Sequence, residues 1–237
     1  MYYYGFDMTY ILLVLPCLIF SLWASSSVKS TFAKYSQRRS CRGITGAEAA
    51  RRVLMANGVS GVRIEQVAGS LTDHYDPKTN VIRLSQGVYD SSSVAAIGVA
   101  AHEAGHAVQY AHSYGPIHLR AAIIPITNFG SKLAMPLILL GLLFGAASDF
   151  SYGFVYAGIA CFGLSLLFQL VTLPVEFNAS RRAMNAISQT EMLTHEEQQG
   201  ARKTLTAAAM TYVAATAVAL AQLLRLIAIF GRRSRRD

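Results

Sequence analysis

Charged residues are scarce in this sequence of 237 residues: they make up 14% of it, against 53% for apolar residues. A soluble domain carries about 25% charged residues, so the composition indicates that much of the chain lies in lipid. The formal net charge of +8 would also suit a nucleic-acid-binding protein. The basic residues flank apolar runs, however, and no nucleic-acid-binding motif accompanies them. We therefore expect membrane lipid, and no nucleic acid, as their partner.

Cysteine is also rare. The three cysteines, Cys17, Cys41 and Cys161, show no paired spacing. This argues against both a disulfide framework and a cysteine-based zinc site. The chain has no internal repeats and no low-complexity tracts, so a repeat architecture is not expected.

The first apolar run covers residues 8–23 and follows a start that contains Asp7 but no Lys or Arg. A cleavable signal peptide needs a positive start and a small-residue cleavage site, so this run is predicted to be a retained membrane anchor. A basic cluster follows the anchor directly. By the positive-inside rule, the chain after this cluster begins on the cytoplasmic side. The cluster consists of Lys29, Lys34, Arg38, Arg39 and Arg42.

The segment 25–127 is the least hydrophobic and is predicted to be a small α/β unit. Thr45 and Glu48 form a capping box for a helix that stops at Gly58. The segments VRIEQVAG and NVIRLS are predicted strands, the second following a turn at Asp76-Pro77. NVIRLS is either an edge strand that pairs with an extended substrate or an ordinary inner strand. A serine-capped helix with a long run of small and apolar residues closes the unit.

Apolar runs at 128–147 and 152–173 predict a transmembrane hairpin, with Asp149 in the connection on the far side of the membrane. A polar helix is then predicted at 175–204 and an apolar helix at 206–230. If this last helix spans the membrane, its basic tail lies on the outer side, which goes against the positive-inside rule. A span would also place Gln222 and Arg225 near the middle of the bilayer, where polar side chains are energetically unfavourable. Its ~25 residues nevertheless exceed the ~20 that a span needs, so a span is favoured. The predicted segments are 1–24 (anchor), 25–127 (α/β unit), 128–173 (hairpin), 174–205 (cytoplasmic helical segment) and 206–237 (membrane helix and basic tail).

The predicted long helix carries the sequence His-Glu-Ala-Gly-His, an HExxH pattern with His102, Glu103 and His106. Residues four apart lie on the same helix face, so both imidazoles can bind one ion. Glu103 lies about 100° round the helix, where it can take a proton from attacking water and pass it to the leaving amine. A lone histidine on such a face is more often a core residue. A charged glutamate between two histidines is an unusual choice for packing, so the pattern predicts a Zn²⁺ site.

Zinc needs a third protein ligand, and the residues leave this choice open. His112 matches the outer spacing of HExxHxxGxxH, but Gln109 stands where that pattern has a helix-breaking glycine. If the helix continues, His112 lies roughly 80° off the face of His102. His118 has no spacing argument, and the acidic and basic residues at 195–197 are expected to face water.

Glu176 is the favoured third ligand. It follows Pro174, which suits the first turn of a helix, at the point where the predicted hairpin returns to the catalytic face. A carboxylate stabilised by the helix dipole is an equally good interpretation of the spacing alone.

Five segments resemble the YugP-like membrane zinc metallopeptidases, which are related to the HtpX and CAAX-prenyl-protease group: GITGAEAARRVL, LTDHYDPKTNVIRLS, VAAHEAGHAVQ, LPVEFNASRRA and AAAMTYVAA. The resemblance covers nearly the whole chain. It implies Glu176 as the third zinc ligand, as in gluzincins, and Glu103 as the catalytic acid/base. Asn178 and Ser180 depart from it, because each stands where an aspartate is expected. The carboxylate that orients a ligand histidine is then missing or supplied elsewhere.

His74 and Tyr75 are candidate contacts to substrate or to the transition state, where they would donate to the oxyanion. Support of the turn that they precede is the commoner role for such residues.

Together these patterns predict a mainly α membrane protein with about four transmembrane or membrane-embedded helices and a small α/β zincin-like catalytic unit that carries the HExxH helix. The predicted function is a zinc metalloendopeptidase at the cytoplasmic face of a bacterial cell membrane. Its expected substrates are proteins or peptides, and the resemblance suggests membrane-protein quality control. The alternative is a non-catalytic zinc-binding regulator or scaffold for another membrane protease or a chaperone.

Overall fold

The computed structural model describes residues 8–144 and 149–231, except for the side chains of 149 and 150. Parts of the earlier predictions fall outside this range: the start with Asp7 and no Lys or Arg, the end of the apolar run at 145–147, Ser148 of the predicted 148–151 connection, the side chain of Asp149 and the basic tail at 232–237. A π-helical turn, Tyr10–Val14, leads into α1. The elements that follow are α1 (Leu15–Ser36), α2 (Gly46–Ala56), β1 (Arg63–Val67), β2 (His74–Asp76), β3 (Val81–Ser85), α3 (Gln86–Tyr89), α4 (Val94–Ala111), α5 (Gly115–Leu143), α6 (Asp149–Gln189) and α7 (His195–Phe230).

The protein is mainly α-helical and membrane-associated, as the composition predicts. In the described part of the chain, four helices are long and apolar enough to cross a membrane. These are Tyr10–Ser36, Gly115–Leu143, Ser151–Gln189 and His195–Phe230. The last one contains the predicted 206–230 helix, so length and composition both allow that segment to span.

Two long helices differ from the predicted elements. The structure has α6 running without a break through Pro174 to Gln189, so the proline does not mark a helix start. Membrane helices tolerate an interior proline more readily than soluble ones do. The chain turns instead at 190–194, and α7 continues from His195 through the predicted boundary at 205/206. Similarly, α5 begins at Gly115, so 115–127 is helical and continuous with the predicted first arm of the hairpin.

The described residues form two compact units. One, which we call the apolar unit, contains the described parts of Met1–Trp23, Leu119–Thr172 and Tyr212–Asp237. The other, the site unit, contains Ala24–His118 and Leu173–Thr211. Within the apolar unit, glycines allow helices α5 and α6 to approach closely: a Cβ on Gly158 would lie 2.8 Å from the carbonyl oxygen of Ala134.

The site unit is built on a three-stranded sheet in the order β1-β3-β2. Strand β3 pairs parallel with β1 and antiparallel with β2. Of the two alternatives left open for NVIRLS, the inner strand is confirmed and the edge strand is wrong, because β3 is the central strand. Its alternation could not reveal this, since edge and inner strands share the same period. Burial does reveal it: four of its five residues are buried.

Helix α4 lies in the core of the site unit. Its buried side chains pack with those of α2, β3 and the second half of α6, including Val53, Ile82, Ile97 and Ile187. The predicted caps are confirmed: the Thr45 hydroxyl accepts from the Glu48 amide at the start of α2, and the Ser93 hydroxyl accepts from the Ala96 amide at the start of α4. The core therefore fixes the helix that carries the HExxH pattern.

Gly105 allows α4 to contact the backbone of α6. A Cβ at this position would lie 2.7 Å from the carbonyl oxygen of Ala179. About two turns earlier on the same helix, Gly98 faces α7 instead. A Cβ at Gly98 would lie 3.4 Å from the Ala201 Cβ, an ordinary van der Waals contact. The approach of α4 to α6 thus depends on the missing side chain at Gly105.

Gly105→Ala is expected to destabilise the protein by about 1–3 kcal/mol, because the added methyl group must displace backbone rather than a flexible side chain. Gly98→Ala is the matched control. It adds the same methyl group to the same helix without a clash, and should be neutral or gain up to about 1 kcal/mol from helix propensity. Thermal unfolding of the detergent-solubilised protein measures both. Equal stabilities for the two variants would contradict this account of the contact.

Candidate metal centre

Helix α4 presents His102 and His106 on one face, one turn apart. Their ring centroids are 4.7 Å apart, and the rings are nearly perpendicular, at 84°. Both side chains are largely buried. The four-residue spacing has therefore brought the two imidazoles to a single point, as the pattern predicts.

Helix α6 brings Glu176 to the same point. Its Oε2 atom lies 3.3 Å from the His102 Nε2 and 3.5 Å from the His106 Nε2. The glutamate side chain is only 2% exposed. One ligand atom from each of the three residues lies within 4.8 Å of the others. Although α6 does not begin at Pro174, the carboxylate reaches the position that the sequence analysis favoured for it.

The three groups suit a zinc ion. Imidazole nitrogen and carboxylate oxygen are common zinc donors, with bonds of about 2.0–2.2 Å. Two ligands at a tetrahedral angle would then lie about 3.3 Å apart. The measured separations of 3.3 Å and 3.5 Å between the glutamate oxygen and the two histidine nitrogens agree with that geometry. These donors leave a fourth position for water or substrate, as catalytic zinc sites do.

The electrostatics of the site favour a positive charge between these groups. Burial by itself lowers the pKa of His106, but the adjacent Glu176 carboxylate outweighs it, and the pKa lies above its ordinary value. Glu103 adds to the same effect. Glu103 is itself almost fully buried on α4. A cation held by the two histidines is thus stabilised by two nearby carboxylates.

Gln109 fixes the orientation of His106. Its amide nitrogen donates to the Val175 carbonyl at 2.8 Å and to the Asn178 Oδ1 at 3.0 Å. The amide oxygen consequently faces the His106 Nδ1, 3.0 Å away, and can only accept. The Nδ1 atom must therefore carry the proton, and Nε2, which lies 3.5 Å from the Glu176 Oε2, is the ring atom that would bind a metal.

Ser180 has the corresponding role for His102. Its hydroxyl lies 3.1 Å from the His102 Nδ1. Asn178 supports the network from behind, because its Oδ1 accepts from both Gln109 and Arg182. The two positions that lack the expected aspartates thus still take part in the site. A hydroxyl and an amide do here what a carboxylate does in many zinc sites.

Gln109 is a support for the site that the sequence pattern did not reveal, because in that pattern it is only a departure from a helix-breaking glycine. One signal was available: Gln109 is three residues after His106, so a helix places the two side chains side by side. The residue is completely buried, which requires that its amide be hydrogen-bonded.

The competing histidines lie elsewhere. Helix α4 ends at Ala111, and His112 is its C-cap, with its Nε2 3.2 Å from the Asn57 carbonyl oxygen. The ring of His118 packs edge-on against Tyr110. Of the metal-binding side chains in the described residues, only His102, His106 and Glu176 form a group of three.

Further along the chain, Glu197 is buried and accepts hydrogen bonds from the Cys41 and Thr194 amides, so the expectation that it faces water is wrong.

His74 and Tyr75 form hydrogen bonds within their own turn. The His74 Nδ1 is 2.8 Å from the Thr72 carbonyl oxygen. Burial raises the pKa of the Tyr75 phenol, so it stays protonated, and it donates to the Asn80 Oδ1 at 2.8 Å. These contacts match the turn-support interpretation, and a role as oxyanion donors stays a prediction.

We expect Gln109→Leu and Ser180→Ala each to weaken zinc binding by roughly 10–100-fold, because each removes the group that orients one ligand histidine. Competition with a chromophoric zinc chelator measures this in the purified protein. Ser188→Ala is the matched control, since Ser188 is an exposed serine on the same helix, α6. If Gln109→Leu binds zinc as tightly as the unmodified protein, the amide does not set the orientation of His106.

Comparison with known proteins agrees with this geometry. The family model described as "Putative neutral zinc metallopeptidase" matches residues 10–231. The curated protein "Putative membrane protease YugP" of Bacillus subtilis (strain 168) is 48% identical over 223 residues, covering 94% of this chain and 97% of the relative. No solved structure matches the chain. On the strength of the family match and this identity, the chain belongs to the family of neutral zinc metallopeptidases.

Proposed function

We propose that this protein is a membrane-embedded zinc metalloendopeptidase with His102, His106 and Glu176 as zinc ligands and Glu103 as the general acid/base. The observation that carries the proposal is the convergence of one carboxylate oxygen with two imidazole nitrogens in a buried site. Glu103 lies next to His102 on the same helix. A structural ion-pair cluster would not need this second buried carboxylate beside the ligand set.

The ligand residues would hold the zinc ion, which when bound polarises the scissile carbonyl and makes an attacking water more acidic. Gln109 and Ser180 hold the imidazoles with their Nε2 atoms toward that ion. The low exposure of all three ligands limits the access of bulk water. In such surroundings each electrostatic interaction is stronger than it is in water.

Glu103 moves the proton in the proposed reaction. Its carboxylate accepts a proton from the attacking water as the new C–O bond forms, and then donates it to the amine nitrogen as the C–N bond breaks. Proton transfer of this kind contributes about 10²–10⁴-fold to the rate.

We place the site on the cytoplasmic side of the membrane. The basic cluster after the first apolar run belongs to the site unit, and ion pairs attach it to the second half of that unit. Arg38 bonds to Glu196 at 2.7 Å and Arg42 to Glu191 at 3.0 Å. Because cytoplasmic segments carry the excess of Lys and Arg, the unit that holds this cluster should face the cytoplasm.

The proposed substrates are proteins or peptides that reach the membrane surface, and the proposed setting is membrane-protein quality control in a bacterial cell membrane. The support is indirect. The similar protein from Bacillus subtilis is described as "Putative membrane protease YugP". In the part of this chain that the structure describes, four helices are able to span a membrane. A membrane protease or chaperone is a further candidate partner.

Glu103→Gln should abolish peptide hydrolysis while zinc stays bound, because the amide keeps the shape of the side chain but cannot accept the proton. The loss expected in kcat is about 10²–10⁴-fold. Protein in detergent, assayed with an unstructured protein substrate and analysed for metal content, provides both readings. Full hydrolysis by this variant would contradict the role of Glu103. A wild-type protein that binds zinc and cleaves nothing would favour the regulator or scaffold function.

Two further variants serve as controls for the ligand set. Glu176→Ala should lose zinc, because a catalytic site with only two protein ligands holds the ion weakly. His112→Ala should keep both zinc and activity, since His112 caps α4 and contacts Asn57 instead. The reverse pattern would show that His112, and not Glu176, completes the site.

The native Cys41 tests the orientation. It is exposed, belongs to the site unit and can be the single thiol after Cys17→Ser and Cys161→Ser. The neighbouring Glu197 raises the pKa of Cys41, so labelling should be run at mildly alkaline pH. A membrane-impermeant maleimide should label Cys41 in inverted membrane vesicles and leave it unlabelled in intact spheroplasts. Labelling in intact spheroplasts would place the site outside.

A further inference from the structure

A groove lies between α6 and α7 in the site unit, and of its lining residues only Ser180 also takes part in the candidate metal centre. It encloses about 310 Å³. From α6, the groove is lined by Phe177, Arg181 and Met184, which lie on one face of the helix. From α7, it is lined by Arg202 and Leu205. The groove therefore combines an apolar wall with two guanidinium groups.

The charge of the groove is uncompensated. None of its lining residues is acidic. Among the described residues of the site unit, five arginines have a carboxylate partner, whereas Arg181 and Arg202 have none, like Arg39, Arg51 and Arg182. The paired ones are Arg38, Arg42, Arg52, Arg63 and Arg83. Two unpaired guanidinium groups at one groove are suited to a ligand with a phosphate, which arginine binds bidentately.

The groove is also polarised along the helices. On α6, Phe177 is the lining residue nearest in sequence to the apolar run that ends at residue 173. On α7, Ala209 is the lining residue nearest in sequence to the apolar stretch that follows it on the same helix. Arg181 lies about 6 Å further along α6 than Phe177, and Arg202 lies roughly 10 Å before Ala209 on α7. Phe177 is 46% exposed. The end of the groove nearer the apolar runs is thus apolar, and the far end is basic.

We propose that this groove binds an anionic phospholipid, with the phosphate between Arg181 and Arg202 and an acyl chain along Phe177, Leu205 and Ala209. This order of groups matches a lipid, whose phosphate lies outside the hydrocarbon region. An acidic peptide would complement the two arginine charges, but it carries no long apolar group to fill the apolar end of the groove. The proposal is independent of catalysis.

The lipid would also lie next to a support of the metal centre. Ser180 lines the groove, and the same hydroxyl lies 3.1 Å from the His102 Nδ1. A ligand in the groove therefore packs against the residue that orients one zinc ligand.

The test uses the full-length protein in a nonionic detergent, titrated with phosphatidylglycerol or with phosphatidylcholine. Native mass spectrometry measures retained lipid, and thermal unfolding measures the rise in Tm that lipid causes. Arg181→Gln/Arg202→Gln should bind phosphatidylglycerol about tenfold more weakly, because the charge-assisted hydrogen bonds are lost. Arg51→Gln/Lys203→Gln is the control, since it removes the same charge from exposed positions that do not line the groove.

The proposal predicts that the unmodified protein and the control variant retain phosphatidylglycerol in preference to phosphatidylcholine. Arg181→Lys/Arg202→Lys should bind with intermediate strength, which separates loss of charge from loss of folding. Equal retention of the two lipids would overturn the proposal, and so would equal loss in the control and the glutamine variants. Tight binding of a poly-glutamate peptide without retention of phosphatidylglycerol would instead identify an acidic-peptide site.

Discussion

The contact of the Glu176 carboxylate with His102 and His106 constrains the rest of the site unit. A buried carboxylate is costly unless a cation or several hydrogen bonds compensate for it. Compensation here requires that α6 approach α4 closely enough for Oε2 to reach both Nε2 atoms at 3.3 Å and 3.5 Å. The glycine at 105 allows that approach, because its missing side chain leaves space for the backbone of Ala179. The remainder of the core holds α4 in place.

The support of the histidines is neutral, and this has chemical consequences. A carboxylate that accepts from a ligand histidine raises the basicity of the imidazole. Gln109 fixes the tautomer of His106, and Ser180 contacts the His102 Nδ1, and neither adds charge to a site that already contains Glu103 and Glu176. The imidazoles are then weaker donors, so a bound zinc ion keeps more of its charge to polarise a carbonyl. This neutral support explains how the chain can lack both expected aspartates and still hold the two imidazoles in place.

Much of the site could be predicted from the sequence because its signals are local. The four-residue spacing of His102 and His106 places them on one face of a helix, and the caps at Thr45 and Ser93 are formed within a single turn. Long-range features were harder to predict. The central position of β3 depends on which strands pair, and the continuity of α6 through Pro174 depends on its surroundings rather than on local propensity. Glu176 was predicted as the third ligand partly because a helix was expected to start at Pro174, and no helix starts there. The family resemblance, and not the residue spacing, distinguished it from the alternative ligands.

The central claim is that two imidazole nitrogens and one carboxylate oxygen hold a single zinc ion. X-ray absorption at the zinc edge, measured on the purified protein, tests this directly. The account predicts one zinc per chain with two imidazole ligands and the remaining shell made of oxygen, at about 2.0–2.2 Å. Sulfur at about 2.3 Å, or a third imidazole in the place of the carboxylate, would contradict it.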